Sequence, residues 1–349
     1  MVKAKIVEQK FEDIRYFVWK KDFKEHKRGC IDIEGLHIHH YPSIKRIINL
    51  EIGVKKNFKK PFFVQEKIDG YNVRVAMVNN EIYAFSRSGY IEAFATEKLR
   101  ENDAIKKLAK EGFIICGEMI GNTPYTTSYQ DHDYDFFVFD IIKDGKFLEL
   151  DKLYKLASYY GFKPVPFYGI FDPSSKDSLS SLKELIKKLN EEKKEGIVMK
   201  NSESRIKYVF GYNELFHFAN AFMAPFDYNI GYIQQRIFRA GLFFDEFGIK
   251  VSENEEFNPI KNLSESIKMF KEKGYVSKIF KIKIKAITTW IDIKKRLEES
   301  EEIKIKELDI KEITENGKNE AYYEIVFEKI FKRTTKKLQP FITGKAFED

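Results

Sequence analysis

The stretch Phe62-Phe63-Val64-Gln65-Glu66-Lys67-Ile68-Asp69-Gly70-Tyr71-Asn72-Val73-Arg74 decides how this chain is read. It is an apolar strand that ends on a lysine, then a bend that Gly70 permits, then a second strand of alternating character. Past the bend, Val73, Val75 and Met77 fall on one face, with Asn72 and Arg74 on the other. A lysine that ends a buried strand is not placed there for solubility, so the chain around it must be searched for groups its amine would work with.

Outward from Lys67, further segments end on charges or turns. Glu81 to Phe85 reads as a strand closed by Ser86-Arg87-Ser88-Gly89, which sets a cation at its tip. Phe94 to Glu111 is expected as one amphipathic helix, and Phe113 to Glu118 as an apolar strand delivering a carboxylate. Asp135 to Ile142 is a buried strand closed by Asp144-Gly145, with Phe137 and Phe139 on one face. Helices at 151–160 and 178–190 follow. Glu195 leads a strand that ends at Lys200, and Arg205-Ile206-Lys207 puts two cations on one side of another.

Taken in order, Lys67-x-Asp69-Gly70, Ser86-Arg87-x-Gly89, Gly117-Glu118, Phe139-Asp140, Glu195-Gly196-x-x-x-Lys200 and Arg205-x-Lys207 resemble motifs I, Ia, III, IIIa, IV and V of a known superfamily. It is the covalent nucleotidyltransferase superfamily of ATP-dependent ligases and mRNA-capping enzymes. The resemblance implies that the Lys67 amine attacks the α-phosphate of a nucleoside triphosphate and carries the nucleotide as a phosphoramidate. For that the amine must be neutral, so its pKa is expected to fall from about 10.4. Arg205, Lys207, partial burial and a metal cation would all push it that way. Arg205 and Lys207 suit the triphosphate and its transition state, and Arg87 a phosphate or ribose contact. Glu118 and Glu195 supply hard oxygen ligands for Mg²⁺ or Mn²⁺, or, for Glu118, a contact to the ribose hydroxyls. Gln65 and Glu66 stand where a neighbour of the lysine reads the adenine edge. Arg74 and Lys200 join the nucleotide-binding set, and the family pattern favours Phe139 over Phe137 as the stacking ring.

Asn72, five residues after the lysine, is the residue of many RNA ligases where DNA ligases usually carry Arg. No Arg-x-Asp-Lys tetrad follows Lys207, as it would in DNA ligases and capping enzymes. The run Glu66 to Arg74 is similar to that of the archaeal-type homodimeric ATP-dependent RNA ligases, with one departure: Arg205 stands where Lys is common. That likeness implies an α+β protein: an N-terminal module (1–60), a central ATP-grasp-like nucleotidyltransferase domain of antiparallel sheets flanked by helices (61–210), a helical dimerisation segment (211–272) and a small C-terminal α+β domain (273–349). The last is read as strand Ile279–Ile287, helix Thr289–Glu299 and a hairpin around Glu315-Asn316-Gly317-Lys318. The implied reaction joins the 5′-phosphate and 3′-hydroxyl ends of single-stranded RNA, including the two ends of one molecule, with ATP as co-substrate and Asp69 and Asn72 helping in the later steps. A DNA ligase, a GTP-dependent capping-type enzyme and a non-catalytic nucleic-acid-binding protein remain the alternatives.

The whole composition fits a folded enzyme. The chain has 349 residues, 43% hydrophobic and 15% aromatic, which excludes a disordered or fibrous protein. A net charge of +7, from 61 basic against 54 acidic residues, permits a polyanionic partner. Cys30 and Cys116 amount to neither a disulfide framework nor a zinc site, so a reducing cytoplasm is the simplest reading. No apolar run approaches the roughly 18 residues of a membrane span. His37-Ile38-His39-His40 invites a metal-site reading, but no Cys or carboxylate set completes it, so it is taken as a surface or substrate-facing strand end. Tyr41-Pro42-Ser43 is expected to start a short helix.

Overall fold

A computed structural model of the chain describes residues 6–24, 26–126, 132–250, 257–300, 302–314 and 321–343. Strands β1 (Ile6–Phe11), β2 (Ile14–Trp19), β3 (Ile31–Ile33) and β4 (Leu36–Ile38) pair antiparallel in sequence order. Strand alternation turns Ile14, Tyr16, Val18, Ile31, Ile33 and Ile38 to one side, where they pack on Ala76, Val78, Tyr83 and Phe85.

Two five-stranded sheets come next. The chain runs β5 (Lys45–Arg46), α1 (Leu50–Asn57), β6 (Phe62–Lys67), β7 (Tyr71–Val78), β8 (Glu81–Ser86), α2 (Ala93–Arg100), α3 (Asp103–Lys110) and β9 (Ile114–Gly121). It continues through β10 (Tyr134–Lys143), β11 (Lys146–Phe147), α4 (Leu150–Tyr160), β12 (Phe167–Phe171), α5 (Lys176–Glu191), β13 (Gly196–Lys200) and β14 (Arg205–Val209). The first sheet has the order β11-β10-β9-β7-β8 and the second β12-β6-β13-β14-β5, antiparallel except where β5 runs parallel to β14. Helix α5 begins where the Ser175 hydroxyl accepts from the Ser178 N–H. It buries Leu179, Leu182, Ile186 and Leu189, at helical spacing, against Phe62, Val64 and Met199 of the second sheet.

The chain crosses from one sheet to the other between Lys67 and Tyr71. At that crossing a Cβ on Gly70 would lie 2.3 Å from the Met119 carbonyl oxygen and 2.6 Å from Ile120. Glycine is needed there for space.

Helices α6 (Gly211–Ala221), α7 (Ile230–Phe247) and α8 (Pro259–Lys273) follow, then β15 (Ser277–Ile284), α9 (Ile287–Glu298), β16 (Ile303–Thr314), β17 (Ala321–Phe331) and α10 (Lys332–Ile342). The last three strands form a sheet of order β15-β17-β16, whose Ile282, Ile325 and Phe327 share a core with the first sheet and α2 to α4. The architecture is α+β. No helix among the described residues is long and apolar enough to cross a membrane.

Several expected elements differ. No helix starts at Tyr41-Pro42-Ser43: Lys45–Arg46 joins the second sheet, and the helix waits for Leu50, where the Asn49 side chain accepts from the Ile52 N–H. The helix expected over 94–111 is two, because the Asn102 side chain caps a new start by accepting from the Ile105 N–H. The strand expected to reach Ile287 stops at Ile284, and Ile287 opens a helix. The Glu315–Lys318 turn lies outside the described residues, although the strands on either side of it pair antiparallel.

Candidate active site

Lys67 ends β6 directly across from Gly196, the first residue of β13, and Glu195 precedes that residue. The register brings the Lys67 Nζ to 2.5 Å from the Glu195 carboxylate. Glu118 on β9 is the cross-strand partner of Asn72 on β7, so the bend at Gly70 delivers it to the same point from the other sheet. One cavity between the sheets takes in Lys67, Glu118, Asn72, Arg87 and Lys207.

Burial pushes the Glu118 carboxyl up to about 8 against the pull of Lys67, and Glu195 is raised in the same way. The Lys67 amine does not move as its neighbouring cations suggest. Burial lowers it, but the Glu195 and Glu118 carboxylates outweigh burial and raise it above the ordinary lysine value. The expected lowering is therefore corrected for the enzyme without substrate: two carboxylates hold the amine as an ammonium. It is Lys207 that is lowered, to about 8, first by burial and then by Lys67, Arg46 and Arg87. Glu118 and Glu195 both act on the Lys67 amine and are the hard oxygen donors that a Mg²⁺-type cation takes, so the residues present fit one.

These shifts give a pH dependence whose sign can be worked out. Glu118, raised, is protonated below about 8 and ionises above it; Lys207, lowered, is charged below about 8 and loses its charge above. If Glu118 takes a cation and Lys207 a triphosphate, both charged forms coexist only around 8. The affinity of the free protein for a cation-bound nucleoside triphosphate, which does not need a neutral Lys67, is expected to be bell-shaped with both flanks within about one unit of 8. Lys207→Arg keeps its charge and should remove the alkaline flank. A flat profile from pH 6 to 10 in the parent enzyme would contradict this.

One side of the cavity is walled by Phe139, Val165 and Val198. Phe139 sits at a bulge in β10, where the register slips between Val138 and Asp140. It therefore leaves the face that alternation assigns to both rings, and Phe137 does not reach the cavity. Gln65 donates to the Tyr154 hydroxyl at 2.9 Å, and Glu66 accepts from Tyr168 and pairs with Lys194 at 3.2 Å; both line the cavity. Lys200 is fully buried, bonded to the Phe139 carbonyl and to Asp140, each at 3.0 Å.

Other expected residues are turned elsewhere. Arg74 is not a nucleotide contact: it is 0% exposed and donates to the backbone carbonyls of Gly29, Ser86 and His39. The N-terminal sheet covers that face of β7, so alternation alone could not distinguish a pocket face from a second core. Arg205 does not line the cavity with Lys207; its guanidinium is 3.9 Å from the Phe147 ring centroid and 3.4 Å from Asp140. Asp69 faces α6, with His217 at 3.4 Å and Asn213 at 3.5 Å.

Sequence reasoning misses three contributors. Tyr41 donates to Asp140 at 2.5 Å and lines the cavity. Arg46 reaches the site because β5 pairs beside Lys207. It meets the buried Glu214, which also holds Arg236 at 3.0 Å. Nothing local in the sequence marks Arg46, since only the parallel pairing of Arg46 with Lys207, far along the chain, brings it there.

The sequence profile of the RNA ligase family matches residues 60–213, the span that holds every one of these motif residues. An uncharacterized protein of Methanocaldococcus jannaschii, MJ0414, is 32% identical over 276 residues, which is 74% of this chain and 69% of that one. A solved structure from Aquifex aeolicus, provisionally assigned as an ATP-dependent DNA ligase, superposes with a TM-score of 0.90 at 29% identity, covering 99% of this chain and 97% of that one. A structure described as an archaeal ATP-dependent RNA ligase shares the fold, with a TM-score of 0.84 at 22% identity over 98% of this chain and 94% of that one.

Proposed function

The chain belongs to the RNA ligase family, and from that premise we propose that it is an ATP-dependent RNA ligase joining 5′-phosphate and 3′-hydroxyl ends of single-stranded RNA, within or between molecules. The observation that carries the reading is the Lys67 amine at 2.5 Å from Glu195, in one cavity with Glu118 and Lys207.

In this reading the Lys67 ammonium gives one proton to water and its neutral Nζ attacks the α-phosphorus of ATP; the bond to the pyrophosphate oxygen breaks, a second proton leaves the nitrogen to solvent, and lysyl–AMP forms. Lys207 neutralises charge on the departing pyrophosphate, and Gln65, Glu66 and Phe139 hold the adenine. Arg87, where the nucleotide cavity opens into a wider groove with Lys27 and Arg28, receives the RNA 5′-phosphate. That phosphate takes AMP from Lys67. A 3′-hydroxyl then attacks the resulting RNA–adenylate, AMP leaves, and a 3′–5′ phosphodiester remains, with Asp69 and Asn72 assisting. Glu118 and Glu195 would hold Mg²⁺ or Mn²⁺, which when bound supplies positive charge that favours the neutral amine.

The assay is incubation with ATP or GTP labelled at the α-phosphate, a denaturing gel, and then a chase with 5′-phosphorylated oligoribonucleotide or nicked duplex DNA. Label on the protein from ATP, discharged by the RNA, is the expected result. Label from GTP alone would overturn the ATP assignment. Discharge by nicked DNA and not by RNA would favour a DNA ligase, the reading suggested by the description of the Aquifex structure.

We further propose a homodimer formed through α7, where Ile230, Ile237 and Phe238 are 72%, 48% and 68% exposed along one stripe of the helix. Sedimentation velocity reading a monomer at micromolar concentration would oppose it. Cys30 and Cys116 are both buried and unpaired, as a reducing cytoplasm allows.

A further inference from the structure

The hairpin of β3 and β4 has a face that the proposed reaction does not use. Asp32 and His37 are direct cross-strand partners, and Cys30 and His39 stand one step beyond the pair Ile31–Ile38 on either strand. Alternation therefore puts Cys30, Asp32, His37 and His39 on one face, while Ile31, Ile33 and Ile38 fill the core on the other. Cys30 lies seven residues before His37, which is why the histidine cluster looks incomplete along the chain.

The ligand atoms of Cys30, His37 and His39 all lie within 4.8 Å of one another. A tetrahedral zinc ion with bonds of about 2.0 to 2.3 Å sets its ligand atoms roughly 3.5 Å apart, so small side-chain rotations close the set. The surroundings point the same way. The Asp32 carboxylate takes the His37 Nδ1 at 2.5 Å and the Trp19 indole N–H at 2.8 Å. A carboxylate cannot donate, so in the neutral imidazole the proton sits on Nδ1 and Nε2 carries the lone pair. That Nε2 is buried and has no hydrogen-bond partner among the described residues, a cost that a metal bond would remove. The backbone N–H of His40 donates to the Cys30 sulfur at 3.4 Å, as outer-shell donors do to ligating sulfurs. A carboxylate fixing the tautomer of a ligating histidine is a recurring outer shell of zinc sites.

We propose that Cys30, His37 and His39 bind a zinc-type divalent cation, with Asp32 orienting His37. The fourth position goes to water or to His26, whose ring centroid is 4.9 Å from that of His37. The cation ties together the two ends of the hairpin. His39 leads directly into Tyr41, Pro42 and Ile44 of the nucleotide cavity, and Cys30 follows Gly29, which packs against the Arg87 backbone. The site is therefore structural. It holds one wall of the cavity, and it is separate from the Glu118–Glu195 pair.

The test uses the full-length protein, stripped with chelator under reducing conditions and titrated with Zn²⁺ alone. Bound metal is counted by atomic emission, and Co²⁺ substitution is followed through its thiolate charge-transfer absorption. One zinc per chain is expected, with thiolate absorption for cobalt. Affinity should fall by more than about 100-fold in Cys30→Ser and His39→Ala, fall about 10- to 100-fold in Asp32→Asn, and stay unchanged in His132→Ala. His39 is exposed, so His39→Ala stays informative should the buried Cys30→Ser variant fold poorly. Substoichiometric zinc in the parent protein, or cobalt bound without thiolate absorption, overturns the proposal. So does unchanged affinity in His39→Ala.

Discussion

Lys67→Ala is expected to lose transfer of label from α-labelled ATP to the protein by about 10⁴-fold or more, because in the proposed reaction it removes the covalent nucleophile from an otherwise intact site. The structure adds what happens to the fold. Lys67 is the partner of Glu195, and the two side chains are only 22% and 11% exposed. Without the ammonium, Glu195 loses its counter-ion beside Glu118, which is already protonated below about 8. Both already sit above the ordinary carboxylate range, so each takes up a proton more readily than it would in water, which limits the loss of stability to about 1–3 kcal/mol. The variant should therefore remain folded at 25 °C while failing to label, and should still seal RNA that is supplied already adenylated, because only the first step needs the amine. Labelling that persists would put the nucleophile elsewhere. Failure on pre-adenylated RNA in a folded variant would mean that Lys67 also serves the last step.

The larger effect on stability is expected at Asp140. Lys200 and Asp140 are 2% and 1% exposed and lie 3.0 Å apart. Tyr41 and Arg205 bond the same carboxylate. Asp140→Ala leaves a buried ammonium with little beyond the Phe139 carbonyl, which costs about 3–5 kcal/mol, read from urea denaturation. The sign with pH follows. Burial already lowers Lys200, and the folded variant would lower it further, so the penalty is full at low pH and shrinks as pH rises towards the unfolded lysine value. Asp140→Ala should thus gain stability between pH 7 and 10 relative to the parent. The double variant Asp140→Ala, Lys200→Met, which removes both charges, should recover most of the loss. A loss under about 1 kcal/mol in the single variant would mean that the pair is solvated in solution.

What can be read along the chain, and what cannot, divides by distance. The strand–bend–strand unit around Gly70 is legible because period-two alternation and a glycine bend are local signals. The order of charged strand ends is legible for the same reason. Each is a polar residue where an apolar run stops. The protonation of Lys67 is not, because its cause, Glu195, is 128 residues away and reaches it only through pairing of β6 with β13. The break at Asn102 is hidden by good helix formers on both sides of the cap. Phe137 and Phe139 look equivalent because a bulge leaves no mark in composition. Cys30 looks unrelated to the histidines until hairpin register brings the two strand ends together.

The buried guanidinium of Arg74 settles how far the molecule can be trimmed. Its donors end on carbonyls at 29, 39 and 86, so one side chain of the first five-stranded sheet is satisfied in large part by the segment that precedes the family match. Burial leaves it charged, at about 10. A fragment cut at residue 60 would contain every motif residue and yet strand this cation against a bare apolar face. Engineers seeking a minimal adenylating core should expect such a piece to aggregate unless the N-terminal sheet travels with it.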